Sequence, residues 1–95
     1  MKTLFLLMAQ YDGQVIIPLE RICSDYFTHL TPEKLKSKVA AGAVDLPIVA
    51  LEQSQKSARG VHVNDFADYL DARHESAKAE HERLMGRVPL AGRLK

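Results

Sequence analysis

The chain has 95 residues, 46% hydrophobic and 26% charged, with a formal net charge of +1. That is material for one domain around a single core. It excludes a chain disordered as a whole, and the near-neutral balance argues neither for nor against a polyanionic partner. The single cysteine, Cys23, leaves no intrachain disulfide framework, and no apolar run reaches membrane-spanning length, so a cytoplasmic protein is expected.

The opening "MKTLFLLMAQY" has the outline of a signal peptide, but its apolar run over residues 4–9 is short and no small-residue cleavage site follows, so it is expected to be structure. Residues 3–11 suit either a helix, with Thr3 as cap and Gly13 as stop, or a buried strand turning at "YDGQ"; composition leans to the helix. "QVIIPL" reads as a short strand that stops at Pro18. Leu19, Ile22, Cys23, Tyr26 and Phe27 then recur at the spacing of one helix face, with Glu20, Arg21, Ser24 and Asp25 opposite.

After a tight connection at residues 28–30, Thr31 is placed as an N-cap, Pro32 at the first helical position and Glu33 at the positive helix end. Gly42 is the natural stop. "IVAL" and "GVHV" are short strands flanking the polar, basic "EQSQKSAR", which together predict a two-stranded hairpin. Asn64 is expected to cap a long last helix whose face carries Phe66, Leu70, Arg73, Ala77, His81 and Leu84. The expected fold is mainly α with a small β wing: a winged helix-turn-helix with a long C-terminal helix. Residues 1–85 form the domain and residues 86–95 a flexible basic tail.

Charge is sorted along the chain. Residues 31–64 hold five basic and three acidic side chains, residues 65–82 two basic and six acidic, and residues 83–95 four basic and none acidic. On the second helix of the helix-turn-helix, Leu35 and Val39 face inward, Glu33, Lys36, Ser37 and Ala40 point away, and Lys34 and Lys38 flank them. Groove recognition needs such a face, with short side chains where the backbone approaches and long cations for phosphates and base edges. Lys36 and Ser37 are candidates for base edges, with Glu33 placed to accept from a cytosine amino group. Lys34, Lys38, Lys56 and Arg59 are candidates for phosphates. Thr31 shares the amides at the helix N-terminus, and Gln55 and Ser57 at the wing tip suit phosphate or the minor groove. His62, on the second wing strand, suits packing or a phosphate equally. Against all this stands the commonplace alternative, lysines on an exposed helix that only keep a protein soluble.

Signals for chemistry are weak. Asp71, His74 and Glu75 share one helix turn but suit a solvated face better than a metal site, with Lys78 spaced to pair with Glu82. There is no HExxH, no paired Cys/His spacing and no glycine-rich phosphate loop. Cys23 with His29 is not a credible nucleophile and base, because Cys23 lies on the buried helix face. No enzymatic activity, metal or cofactor is expected.

The blocks "LLMAQYDG", "DYFTHLTPEKL" and "LPIV…SQKSARGVHVNDFADYLD", in that order, resemble the pyocin activator protein family of the PrtN type over about residues 1–75. The resemblance implies a transcriptional activator that switches on phage-tail-like bacteriocin genes after DNA damage, by binding short repeated boxes upstream of them. More distantly, "IPLERIC…TPEKLKSKVAAGAVDLPIV…ARGVHVNDFADYLDAR" is similar to excisionase-type and MerR-type winged helices. By that analogy residues 31–41 are the recognition helix and residues 54–63 the wing. The tail beyond Glu82 matches neither.

The expected partners are double-stranded DNA and RNA polymerase, the latter through Asp65, Asp68, Asp71 and Glu75. Repeated boxes imply a homo-oligomer, for which Phe66, Leu70, Ala77, His81 and Leu84 are the candidate surface. The alternatives are an excisionase-like architectural protein that bends prophage DNA, and a protein-binding adaptor working through its long helix.

Overall fold

The structure is a computed structural model that describes residues 2–54 and 56–86. The first segment is helical: α1 spans Thr3–Gln10. Leu7 and Tyr11 are buried and Leu4 packs beside them, one helix side at i, i+3 and i+7. The helix ends where Asp12 and Gly13 turn left-handed (φ 54° and 74°), letting the Gly13 N–H donate to the Met8 carbonyl at 2.7 Å. Thr3 is not the cap. It lies inside α1, and its hydroxyl donates to Asp71 at 2.5 Å, tying the start of α1 to the last helix.

β1 (Ile16–Pro18) runs directly into α2 (Leu19–Tyr26), because Pro18 ends the strand with a φ of −59° that suits a helix entry. α2 buries Leu19, Ile22 and Cys23. Tyr26 sits at the rim, edge-on to Phe66 with ring centres 4.9 Å apart, and donates its hydroxyl to Gln10 at 2.7 Å. α3 (Pro32–Ala40) begins as expected: the Lys34 N–H donates to the Thr31 hydroxyl at 3.2 Å, and Pro32 takes a position that needs no N–H. Gly42, at φ 79°, closes it, with the Ala43 N–H donating to the Lys38 carbonyl at 2.9 Å.

The wing is larger than a two-stranded hairpin. β2 (Val49–Ala50) and β3 (Arg59–His62) pair antiparallel, and β3 also pairs with β1, giving a three-stranded sheet in the order β1-β3-β2. The pairing of Ile17 with Val61 puts two fully buried side chains opposite each other. Gly60 lies between Pro18 and Val49; a Cβ there would come within 2.6 Å of the Ile17 carbonyl oxygen, so the close strand approach requires glycine.

α4 spans Val63–Leu84, and its cap differs from the expectation. Asn64 lies within the first turn, and its N–H donates to Nδ1 of His62, the N-cap, at 3.0 Å. An imidazole nitrogen therefore does the work usually given to a hydroxyl or carboxylate. The first two turns of α4 bury Val63, Phe66 and Ala67. From Asp71 to its end the helix is largely exposed, and the molecule is drawn out to 53 Å against 30 and 22 Å across.

Thirteen buried apolar residues form one core, drawn from every helix, from β1 and β3, and from the connections at Tyr11, Val44 and Leu46; Tyr11, Ile17, Ile22, Leu35, Val61 and Phe66 are almost wholly enclosed. The result is the expected fold, mainly α with a small β wing and a long C-terminal helix, in the element order of a winged helix-turn-helix. No helix among the described residues is long and apolar enough to cross a membrane.

Candidate nucleic-acid interface

The packing of α2 against β1 and α3 brings the first turn of α3 beside the wing. Between them lies an open cleft of about 260 Å³, lined on the helix side by Glu33 and Lys36 and on the wing side by Lys56, Ser57 and Arg59. Residues twenty or more positions apart thus share one surface. Glu20, from the first turn of α2, also lines this cleft. Its place on the polar face of α2 was visible in the sequence, but nothing there revealed that this face borders the wing.

Lys36 does not point straight away from the body. Its side chain is 35% exposed, leans along the cleft and pairs with Glu33 at 3.7 Å. Glu33 is 84% exposed, so the pair is largely solvated and holds Lys36 only weakly. A phosphate or base edge can therefore compete for the lysine at small cost. Lys34, Ser37 and Lys38 are exposed on α3 but do not line the cleft, and Thr31 is occupied as the cap.

On the wing, the Ser57 hydroxyl is built into the turn. It accepts from the Glu52 N–H at 2.8 Å and donates to the Ala58 carbonyl at 3.1 Å, so its proton is committed inside the wing. The Lys56 N–H donates to the Ser54 hydroxyl at 3.1 Å, leaving the Lys56 side chain exposed. Arg59 is half-buried, and its Nη1 is enclosed with no hydrogen-bond partner. An enclosed guanidinium N–H with no acceptor is costly. Gln55 lies outside the described residues. His62 stands at the far end of β3 from the wing tip with Nδ1 engaged as a cap, so the structure does not bring it to the cleft.

The remaining candidates separate. Phe66 belongs to the core at 0% exposure and cannot serve a self-association surface; Leu70 is partly buried against the same core. Ala77, His81 and Leu84 are exposed on the projecting half of α4. Asp65 and Asp68 border a second open cleft with Asp45, Tyr69 and Arg73, while Asp71 accepts from Thr3. Lys78 pairs with Glu75, at 3.9 Å. Burial pushes the Cys23 thiol above its ordinary value, which keeps it protonated and unreactive. Among the described residues no group of three His, Cys, Asp or Glu side chains is placed to hold a metal ion.

No curated protein and no solved structure matches the chain. Residues 3–77, which hold α1, the helix-turn-helix, the wing and most of α4, match the family described as pyocin activator protein PrtN, and with four-fifths of its length in that match the chain belongs to the pyocin activator protein family.

Proposed function

We propose that the chain is a sequence-specific, DNA-binding transcriptional activator of pyocin-type bacteriocin genes, which reads repeated boxes upstream of its targets. Family membership supports the regulatory role. The observation that carries DNA contact is the cleft joining Lys36 of α3 to Lys56 and Arg59 of the wing. In this reading α3 lies in the major groove. Lys36 and Ser37 meet base edges, Lys34 and Lys38 hold phosphates, and the wing sets Lys56 and the unsatisfied Arg59 against the backbone.

The Glu33–Lys36 pair adds discrimination. If Lys36 leaves for a guanine edge, Glu33 is freed to accept from a neighbouring cytosine amino group; over a wrong sequence, it repels phosphate. The protein acts without catalysis or cofactor, as a homo-oligomer on repeated sites. It contacts RNA polymerase through the acidic side of α4 around Asp65 and Asp68.

Fluorescence anisotropy across a salt series tests this, using one duplex from upstream of a pyocin-type gene cluster and one scrambled duplex. Steeply salt-dependent binding, tighter on the first by about a thousandfold or more, is the expected result. Equal binding to both would replace the activator with an architectural DNA-bending protein. No binding to either at low salt would end the DNA reading.

A further inference from the structure

Two surfaces lie outside the proposed DNA contact. The first is the outer side of α1, where Phe5, Leu6 and Met8 are 59%, 56% and 40% exposed and no residue of the helix is charged. A helix packed on one side ordinarily turns polar side chains to water on the other. Nor is α1 free to roll its apolar side inward. Thr3 bonds to Asp71, Tyr11 to Asp25, and Tyr26 to Gln10, fixing both ends to the body.

The second surface is the projecting half of α4. The stripe that buries Val63, Phe66 and Ala67 continues by helical periodicity through His74, Ala77, His81, Leu84 and Met85. There it has no body to cover it: Leu84 is 70% exposed and Met85 54%. The stripe itself holds no acidic residue, and the acids of this half lie to its sides.

We infer that these two surfaces meet between two copies of the chain: the uncharged face of α1 on one copy receives the distal α4 stripe of the other, and a two-fold axis repeats the contact. The stripe cannot reach α1 of its own chain, because Leu84 lies about 20 Å beyond Asp71, where the start of α1 is tied. A second copy is the fitting occupant because one chain carries both halves of the contact, as a closed two-fold interface requires. Neither half places a carboxylate against apolar side chains, so no acid is desolvated. Each contact alone is small, and a specific interface buries on the order of 1,200 Å² or more, so the two symmetry-related contacts are needed together. The inference rests on reading the protein as a homo-oligomer and is independent of DNA binding.

Sedimentation equilibrium of the full chain without DNA is the test, with Phe5→Glu and Leu84→Glu as variants. The expected mass is twice the 10.6 kDa of one chain. Each variant is expected to weaken dimerisation by about tenfold or more by burying a charge, with an unchanged circular dichroism spectrum, since both positions are exposed in the monomer. A second measurement mixes Phe5→Cys chains with Leu84→Cys chains under oxidation. Mixed disulfide dimers are expected well above either homodimer, and Cys23 stays out of the exchange because it is buried.

A monomer at micromolar concentration would overturn the inference, as would a dimer indifferent to both glutamates or mixed disulfides no more frequent than like pairs. A monomer that still binds operator DNA would sink the dimer and spare the DNA reading. A dimer that ignores DNA would do the reverse.

Discussion

α1 and α3 are nearly equal in length, eight and nine residues, yet they treat water in opposite ways. α3 buries Leu35 completely and Val39 partly, then gives its remaining surface to Glu33, Lys34, Ser37 and Lys38. α1 buries Leu7 and then leaves phenylalanine, leucine and methionine on the outside. Both attach to the same core through a narrow seam, so attachment does not distinguish them. What differs is the partner each outer face can accept: an anion for α3, an apolar surface for α1. Exposed side chains therefore carry the functional information, and buried ones carry the fold.

The sharpest way to break that comparison is a pair of phenylalanines. Phe66 is enclosed by the core and meets Tyr26 edge-on, so Phe66→Ala should destabilise the fold by about 3–5 kcal/mol in urea unfolding. Phe5 is 59% exposed, so Phe5→Ala should lie within about 0.5 kcal/mol of wild type at concentrations where the chain is monomeric. A large loss at Phe5 in the monomer would mean that α1 is held by its outer face. Gly60→Ala comes next. Its Cβ would sit 2.6 Å from the Ile17 carbonyl, and the strands must part, at about 1–3 kcal/mol.

Within the charged face, Lys36→Ala and Lys56→Ala separate reading from holding. Lys36→Ala should weaken operator binding by about 1–3 kcal/mol and leave random DNA nearly unaffected. Lys56→Ala should weaken both alike and reduce the salt slope by about one. Equal losses from both variants on both duplexes would contradict the division of roles.

Much of this architecture is legible in the sequence wherever the signal is local. The Thr31–Pro32 start and Gly42 stop of α3, and the apolar face of α2, need only nearest neighbours. Residues 3–11 are ambiguous for a physical reason: with Phe5, Leu6 and Met8 left outside, α1 lacks the alternation that marks a helix packed on one face. The third sheet partner was not legible, because β1 and β3 are joined by a register more than forty residues apart in the chain. For the same reason Lys36 reads as outward-pointing until the wing is in place beside it. Asn64 was a sound choice for a cap by residue type, but the chain enters α4 two residues earlier, and His62 Nδ1 accepts from the Asn64 amide.

The smallest expected effect concerns the tie between α1 and α2. Tyr11 donates to Asp25 at 2.6 Å beneath the Arg21 guanidinium, and burial together with the Asp25 carboxylate raises the phenol well above its ordinary value of 10.0. The neutral phenol is thus favoured in the folded state. Its contribution is complete below the unfolded value near pH 10 and is lost as the pH rises beyond it. Tm should fall above pH 10, and Tyr11→Phe should flatten that fall while lowering stability at neutral pH by about 1 kcal/mol. A wild-type decline unchanged by Tyr11→Phe would place the titration elsewhere.

The most direct test of the central claim is amide chemical-shift mapping as an operator duplex is added to ¹⁵N-labelled protein. The account predicts shifts concentrated at Thr31 to Lys38 and Lys56 to Gly60, the two banks of the cleft, with α1 unmoved. Shifts centred on Phe5, Leu6 and Met8 or on the projecting half of α4, with α3 silent, would contradict it.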